Sequence, residues 1–357
     1  MKIKGTLPIA VTVTGALALA LAACSDPAAS SAGASSATSS PAASSAGASS
    51  ATSSSAVSST ASGLPASCSG KNPVIGVSLP NTTNPYYIAM QSSFQQNGQA
   101  DGFSIKVAIA DDSDSNQLSQ VQAFIQQHVC AVALNANNSG PAAADVKALN
   151  EAKIPVFTVN VIIDPAALKA QNASFLQYVG PDQTEGGVQM GQLALKALGS
   201  NAKIVAGVVG DPDQIPTNER DAGFTKVLKA DPNTTVLPTV NSQVDPNVAL
   251  QVTSELLQSN PNINVIFADT GPGATGAIQA IKQAGRQNRV KLYAFCAAAT
   301  PLTGYYEACA AQEPAQYAKT LLQSIKGYLA GQKVPANLLQ VTKVFTTGQT
   351  PGPGEVG

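Results

Sequence analysis

The sequence predicts an α/β protein of two successive doubly wound parallel-sheet lobes. From Val74 onward, short β-rich apolar runs alternate with helical stretches, the pattern of parallel βαβ units. The alternation starts afresh near Ile204, giving a second series like the first. Composition agrees: only Lys2, Lys4 and Asp26 carry charge in the first 70 residues, leaving 18 basic and 20 acidic groups for a mildly acidic remainder of 287 residues. That length suits about two domains at ~150 residues each. With no basic surplus to neutralise phosphates, a nucleic-acid partner is not expected.

In chain order, Lys2 and Lys4 precede a run from Pro8 to Leu21 that is apolar but for Thr12, Thr14 and small residues, the layout of a secretory signal. No basic stop-transfer flank follows, which disfavours a permanent membrane span. Leu21-Ala22-Ala23-Cys24 resembles a bacterial lipobox. That resemblance implies a signal over residues 1–23, lipidation of Cys24 and an exported protein tethered to the membrane by acyl chains. Residues 27–40 read PAASSAGASSATSS, and residues 41–54 repeat them unchanged. Side chains this small bury too little apolar area to offset backbone ordering, so residues 24–70 are expected to be a flexible tether of roughly 35–40 Å reach. O-glycosylation of this Ser/Thr-rich stalk is the alternative.

Val74–Leu79, Ile105–Ala110, Ala131–Leu134, Val156–Val159 and Leu176–Val179 read as the strands of the first lobe, with helices over Pro85–Ala100, Asn116–His128 and Ala143–Ala152. In the second helix Leu118, Val121 and Ile125 show the 3.6 spacing. The second series places strands at Ile204–Val209, Val236–Val240, Val265–Phe267 and Leu292–Phe295, with helices near 185–198, 218–230, 247–259 and 273–284. Ligands of open parallel sheets bind in the crevice at the strands' carboxyl ends. After the first strand, Asn84 is a good N-cap and Pro85 a good first helical residue, which sets Tyr86 and Tyr87 on the first turn at the crevice. One tyrosine is expected to pack between helix and sheet; the other would offer its face to the C–H face of a sugar.

Four cysteines remain beside Cys24 and permit three pairings. Cys68–Cys130 and Cys296–Cys309 are favoured, because Cys68 and Cys130 lie just before strands expected to be parallel neighbours. Neither CxxC nor HxxxH occurs and His128 is the lone histidine, so neither a metal site nor histidine-based catalysis is expected. Asp111-Asp112-Ser113-Asp114-Ser115-Asn116 lacks the glycine and closing Glu of a calcium loop, and reads as a capped loop before a helix. Gly271-Pro272-Gly273-Ala274-Thr275-Gly276 matches GxGxxG, but no acidic residue ends the next strand; a strand-to-helix turn of small residues is the simpler reading. Asp211-Pro212-Asp213 reads as a loop after a strand. No cofactor is expected.

Ile75-Gly76-Val77 through Asn84-Pro85-Tyr86-Tyr87, Ala152-Lys153-Ile154-Pro155-Val156-Phe157, Val179-Gly180-Pro181-Asp182 leading to Glu185-Gly186-Gly187, Asn218-Glu219-Arg220-Asp221-Ala222-Gly223-Phe224, Val265-Ile266-Phe267-Ala268-Asp269 and Ala311-Gln312-Glu313-Pro314 occur in order along the head. Together they resemble ribose-type periplasmic sugar-binding proteins, the substrate-binding components of bacterial ABC importers. The resemblance spans about residues 72–347 and implies two lobes joined by three crossings, near Gly180–Asp182, Gln312–Pro314 and Ala336–Leu339. The implied first lobe is 71–180 plus 313–335, the second 181–312 plus 336–347, and 348–357 a tail. By position the family's ligand slots fall on Asn84, Tyr86, Tyr87, Asn160, Val161, Asn218, Val244, Asp269 or Thr270, Cys296 and Gln312. Where the ribose pattern has Asp-Arg after the fourth strand this chain has Asn160-Val161, and where it has Asp this chain has Cys296. Losing an Arg and two carboxylates implies a neutral ligand with fewer hydroxyls, a different polyol, or weaker binding.

The resemblance thus implies a lipid-anchored, monomeric receptor delivering a small sugar or polyol to an ABC permease. The alternatives are a sensor presenting a bound nucleoside, autoinducer or other small molecule to a receptor, and a glycosidase built on Asp182, Asp269 and Glu313, whose spacing announces no paired-carboxyl geometry.

Overall fold

The computed structural model describes residues 63–199 and 202–357. The expected signal, Cys24 and most of the tether lie outside the described residues. A short 3-10 turn (Ala66–Ser69) leads into β1 (Val74–Leu79), α1 (Pro85–Ala100), β2 (Ser104–Ile109), α2 (Asp114–Gln126), β3 (Ala131–Leu134), α3 (Ala142–Glu151), β4 (Val156–Val159), α4 (Pro165–Ala170) and β5 (Gln177–Pro181). The second series is α5 (Gln183–Leu198), β6 (Ile204–Gly210), α6 (Ile215–Lys229), β7 (Thr234–Val236), β8 (Val240–Asn241), α7 (Pro246–Ser259), β9 (Val265–Ala268), α8 (Gly271–Gln283), β10 (Lys291–Phe295) and β11 (Tyr306–Ala311). Then follow α9 (Pro314–Leu329), β12 (Asn337–Gln340) and β13 (Lys343–Thr346).

The first sheet runs β12-β5-β4-β3-β1-β2 and the second β13-β11-β10-β9-β6-β7, with β8 beside β6. All pairings are parallel except β11 with β13. Central strands are buried on both faces because helices cover both, so β1, β3, β4, β6 and β9 read as nearly continuous apolar runs. Helix starts follow local chemistry. Asn84, Ser113, Asp164, Asp182, Asp245 and Thr270 each accept a hydrogen bond from a first-turn amide, and Pro85, Pro165 and Pro246 open their helices. The Ser113 cap is the loop expected before the second helix.

Three expectations are corrected. Residues 336–347 do not all belong to the second lobe: β12 hydrogen-bonds to β5 at the edge of the first sheet, and only β13 joins the second. The third crossing therefore lies at Val341-Thr342, where Thr342 Oγ1 donates to Gln189 Oε1 at 3.0 Å. Residues 348–357 are not a free tail either, since Val356 and Gly357 are buried and their backbones bond to Gln312, Cys296 and Gly271. Pro238 also divides the single strand expected over Val236–Val240 into β7 and β8. Cys68 and Cys130 sit at disulfide geometry with Cα atoms 4.8 Å apart, as do Cys296 and Cys309 at 4.9 Å.

Candidate functional site

The carboxyl ends of both sheets face one another across a cavity of about 770 Å³, within the range of small-molecule sites. Its first-lobe wall comes from the loops after β1, β3 and β4, and its second-lobe wall from those after β6, β8, β9, β10 and β11 together with one face of α6.

On the first-lobe side, the Asn84 side chain accepts from the Tyr86 amide at 3.0 Å, which leaves its NH2 group unclaimed by that cap. Tyr86 is buried in the first lobe's core, whereas Tyr87 is half-buried; the two rings meet edge to face at 5.4 Å. Asn160 is 7 % exposed with φ of 64°, a conformation asparagine tolerates better than most residues. Its carbonyl accepts from the Tyr178 hydroxyl at 2.9 Å.

The second-lobe side is organised by Arg220, only 4 % exposed. Its Nε donates to Gln183 Oε1 and its Nη1 to the Asp269 carbonyl, both at 2.7 Å, and the guanidinium lies 4.0 Å from the Phe295 ring centroid. Glycines make this possible. A Cβ at Gly187 or Gly223 would strike the backbone of the facing helix, so α5 and α6 touch closely there and hold Arg220 inward. Burial pushes the Arg220 pKa down, opposed chiefly by the nearby Asp269 carboxylate. Around it the Tyr86 and Tyr317 hydroxyls, Gln183 Nε2 and Gln312 Oε1 have no protein partner. Buried groups of this kind are normally hydrogen-bonded; those of Tyr86 and Gln312 belong to residues that line the cavity and are open to a polar guest, whereas Tyr317 and Gln183 lie behind the wall.

Of the residues expected to bind, Asn84, Tyr86, Tyr87, Asn160, Thr270 and Gln312 line this cavity, as do Val161, Val244 and Cys296. Asn218 and Asp269 do not. Asn218 is exposed, donating to the Pro212 carbonyl at 2.5 Å. Asp269 is fully buried behind the wall, where its Oδ2 accepts from the Asp211 amide at 3.0 Å. Burial, and then the neighbouring Asp221 carboxylate, raise the Asp269 pKa well above the usual range. Arg220, Asn137, Asn138, Asp211 and Gln214 are cavity residues that the sequence reading did not select.

Across the cleft mouth the lobes touch. Gln214 Nε2 donates to the Asn137 carbonyl at 3.1 Å and to Asn138 Oδ1, and the Ile215 amide donates to Ser139 Oγ at 3.2 Å. Gln214 makes no cap of its own, so a first-lobe serine supplies the N-terminal acceptor for α6.

Two parallel-sheet lobes, three crossings and a polar cleft at the strand ends define the type I periplasmic binding protein fold. The chain belongs to that family: residues 75–333 match the periplasmic binding protein domain. The ribose import binding protein of Bacillus subtilis is 26% identical over 276 residues, covering 76% of this chain and 87% of that protein. The D-ribose/D-allose-binding protein of Pseudomonas aeruginosa is 28% identical over 273 residues, 73% of this chain and 84% of the relative. Among solved structures, an ABC transporter solute binding protein from Agrobacterium vitis bound with α-D-tagatopyranose superposes with a TM-score of 0.70 at 23% identity, covering 77% of this chain and 95% of that one. One from Mycobacterium smegmatis with bound glycerol gives 0.70 at 20%, covering 80% and 99%. These relatives are solute-binding proteins rather than enzymes.

Proposed function

We propose that this protein captures a small neutral sugar or polyol between its lobes and presents it to an ABC permease, held at the membrane by lipidated Cys24 and the Ser/Ala-rich tether. The observation that carries the reading is the cleft itself: amides from Asn84, Asn137, Asn138, Asn160 and Gln214, a tyrosine face at Tyr87, and one buried guanidinium, Arg220, converge on 770 Å³. Amides both donate and accept, as hydroxyls require, and an apolar ring suits a sugar's C–H face. The sugars named for the relatives support the ligand class. Asn84, Tyr86, Tyr87, Asn160, Arg220, Thr270 and Gln312 are the residues assigned to contact it.

The test is a thermal-shift screen of the purified protein, unfolded and refolded to strip carried ligand, against pentoses, hexoses, polyols, nucleosides and amino acids. A binder at a hundredfold excess over its Kd stabilises by ~2.7 kcal/mol. A hit among sugars or polyols is expected; a hit confined to nucleosides or amino acids would overturn the ligand class. Membrane retention lost on Cys24→Ala would test the anchor.

A further inference from the structure

Residues 351–357 return to the cleft after β13, and their ends are built in. The Gln312 amide donates to the Val356 carbonyl at 2.7 Å and the Val356 amide to the Gln312 carbonyl at 3.1 Å. The Gly357 amide donates to the Cys296 carbonyl, and the Gly271 amide to the Gly357 oxygen, both at 2.9 Å. Val356, 2 % exposed, packs its side chain into the first lobe's core cluster, although its backbone bonds are to Gln312 at the end of β11. The fit is close: a Cβ on Gly357 would collide with Phe295 and the Cys296 backbone, and one on Gly271 would lie 2.7 Å from the Cys296 carbonyl. A turn in which the Gly352 amide donates to Glu355 Oε2 at 2.7 Å, and the Lys343–Glu355 ion pair, hold the segment at its outer end.

Gly271, Cys296 and Gln312 all line the cavity, as do Val356 and Gly357 themselves. We propose that Val356 and Gly357 are specificity-determining residues: they fill the cleft at the ends of β9, β10 and β11, with the Val356 side chain reaching the first lobe's core, and consume backbone groups there that would otherwise face the ligand. The inference rests on the sugar-receptor reading. The N–H groups of both residues, the Val356 carbonyl and one Gly357 oxygen are spent on the protein, so what the segment brings to the cleft is chiefly bulk. Recognition is pushed toward Arg220, the first-lobe amides and the mouth of the cleft, and the space left for a ring is reduced. This accounts for a binding slot at Cys296 with no side chain able to clamp a hydroxyl.

The experiment compares the full chain with three variants: a stop after Glu355, which keeps the Lys343–Glu355 pair; Gly357→Ala, which keeps the length but cannot seat; and Val356→Ala, which keeps the backbone bonds to Gln312 and removes the bulk. Affinities for D-ribose, D-allose, D-tagatose, myo-inositol and glycerol are measured calorimetrically, and amide hydrogen exchange is followed at Gly271 and Gln312. For the first two variants the expected result is at least tenfold faster exchange at both amides, and at least a tenfold gain in affinity for the ring compounds relative to glycerol. Val356→Ala should shift the same ratio less. If all affinities stay unchanged or fall by a common factor, or if exchange is not accelerated, the proposal is overturned while the receptor reading stands. If no form binds any of the five, the receptor reading fails and takes the proposal with it.

Discussion

Beneath the second-lobe wall two carboxyl groups share one patch of buried space, and they make stability depend on pH in a definite direction. Asp269 is fully buried and Asp221 7 % exposed, and a Cβ on Gly210 would collide with Oδ2 of both. Asp269 Oδ2 accepts from the Asp211 amide and Asp221 Oδ2 from Thr239 Oγ1, each at 3.0 Å; the Oδ1 atoms have no protein partner. Arg220 is the nearby cation, so ionising both carboxyls leaves uncompensated negative charge in the interior. Burial accordingly pushes Asp221 up to about 7 and Asp269 further from its usual range. A carboxyl with a raised folded pKa binds more protons folded than unfolded, so stability falls as pH rises from the unfolded value near ~4 through the folded one, and levels off above it. Between pH 5 and 8 the Asp221 shift corresponds to ~2–3 kcal/mol at ~1.4 kcal/mol per pH unit. Urea denaturation of the ligand-free protein should therefore give a higher midpoint at pH 5 than at pH 8. Asp221→Asn keeps an acceptor for Thr239 and should make the slope shallower while raising stability at pH 8, with Asp269 and Asp145 carrying the rest. Asp145, which burial also brings to about 7, contributes a slope of similar size that Asp145→Asn removes separately. A wild-type midpoint that rises with pH across this window, or an Asp221→Asn slope equal to wild type, would refute the reasoning.

Three further outcomes are expected. Arg220→Met should lower stability by ~3–5 kcal/mol in chemical denaturation, because Gln183 Oε1 and the Asp269 carbonyl lose their donor and Phe295 its cation; sugar affinity should fall as well. Ser139→Ala and Gln214→Ala remove contacts made across the cleft mouth, each worth ~1 kcal/mol, so stopped-flow ligand dissociation should accelerate several-fold with little change in association. Replacing Cys68 and Cys130 by Ala opens a loop of 62 residues and should cost ~4 kcal/mol, against ~3 for the 13-residue loop of Cys296 and Cys309, read as shifts in thermal midpoint that reductant reproduces.

The βαβ alternation was legible because strands buried on both faces write themselves as apolar runs and because capping residues mark the helix starts at Asn84, Ser113 and Asp182. What escaped did so for geometric reasons. β11 is YEACAA, with few of the β-branched residues that advertise a strand, and it exists because β10 and β13 flank it. β12 is a four-residue edge strand with alternating exposure, too short to reveal which sheet it joins. At the site, the choice between neighbours was the difficulty. Asn218 and Arg220 lie two positions apart on α6, about 200° around the helix, so only one of them can face the cleft. Asp269 and Thr270 follow each other at the end of β9, where successive side chains point to opposite faces. Sequence order names both members of each pair; the α5–α6 approach at Gly187 and the burial behind Gly210 decide between them.

The distribution of polar groups bears on how such a cleft can close. On the second lobe, the end of β11 and the start of α8 are already bonded to Val356 and Gly357. The groups left to answer a ligand stand mainly on the first-lobe loops, on α6 through Arg220, and at the mouth through Gln214. A ligand held there lies between α6 and the β3 loop, the same two elements that Ser139 and Gln214 join directly. Ligand contacts and lobe contacts then strengthen together. A ligand that bridges the two elements would favour closure at the mouth, where Ser139 and Gln214 already join the lobes.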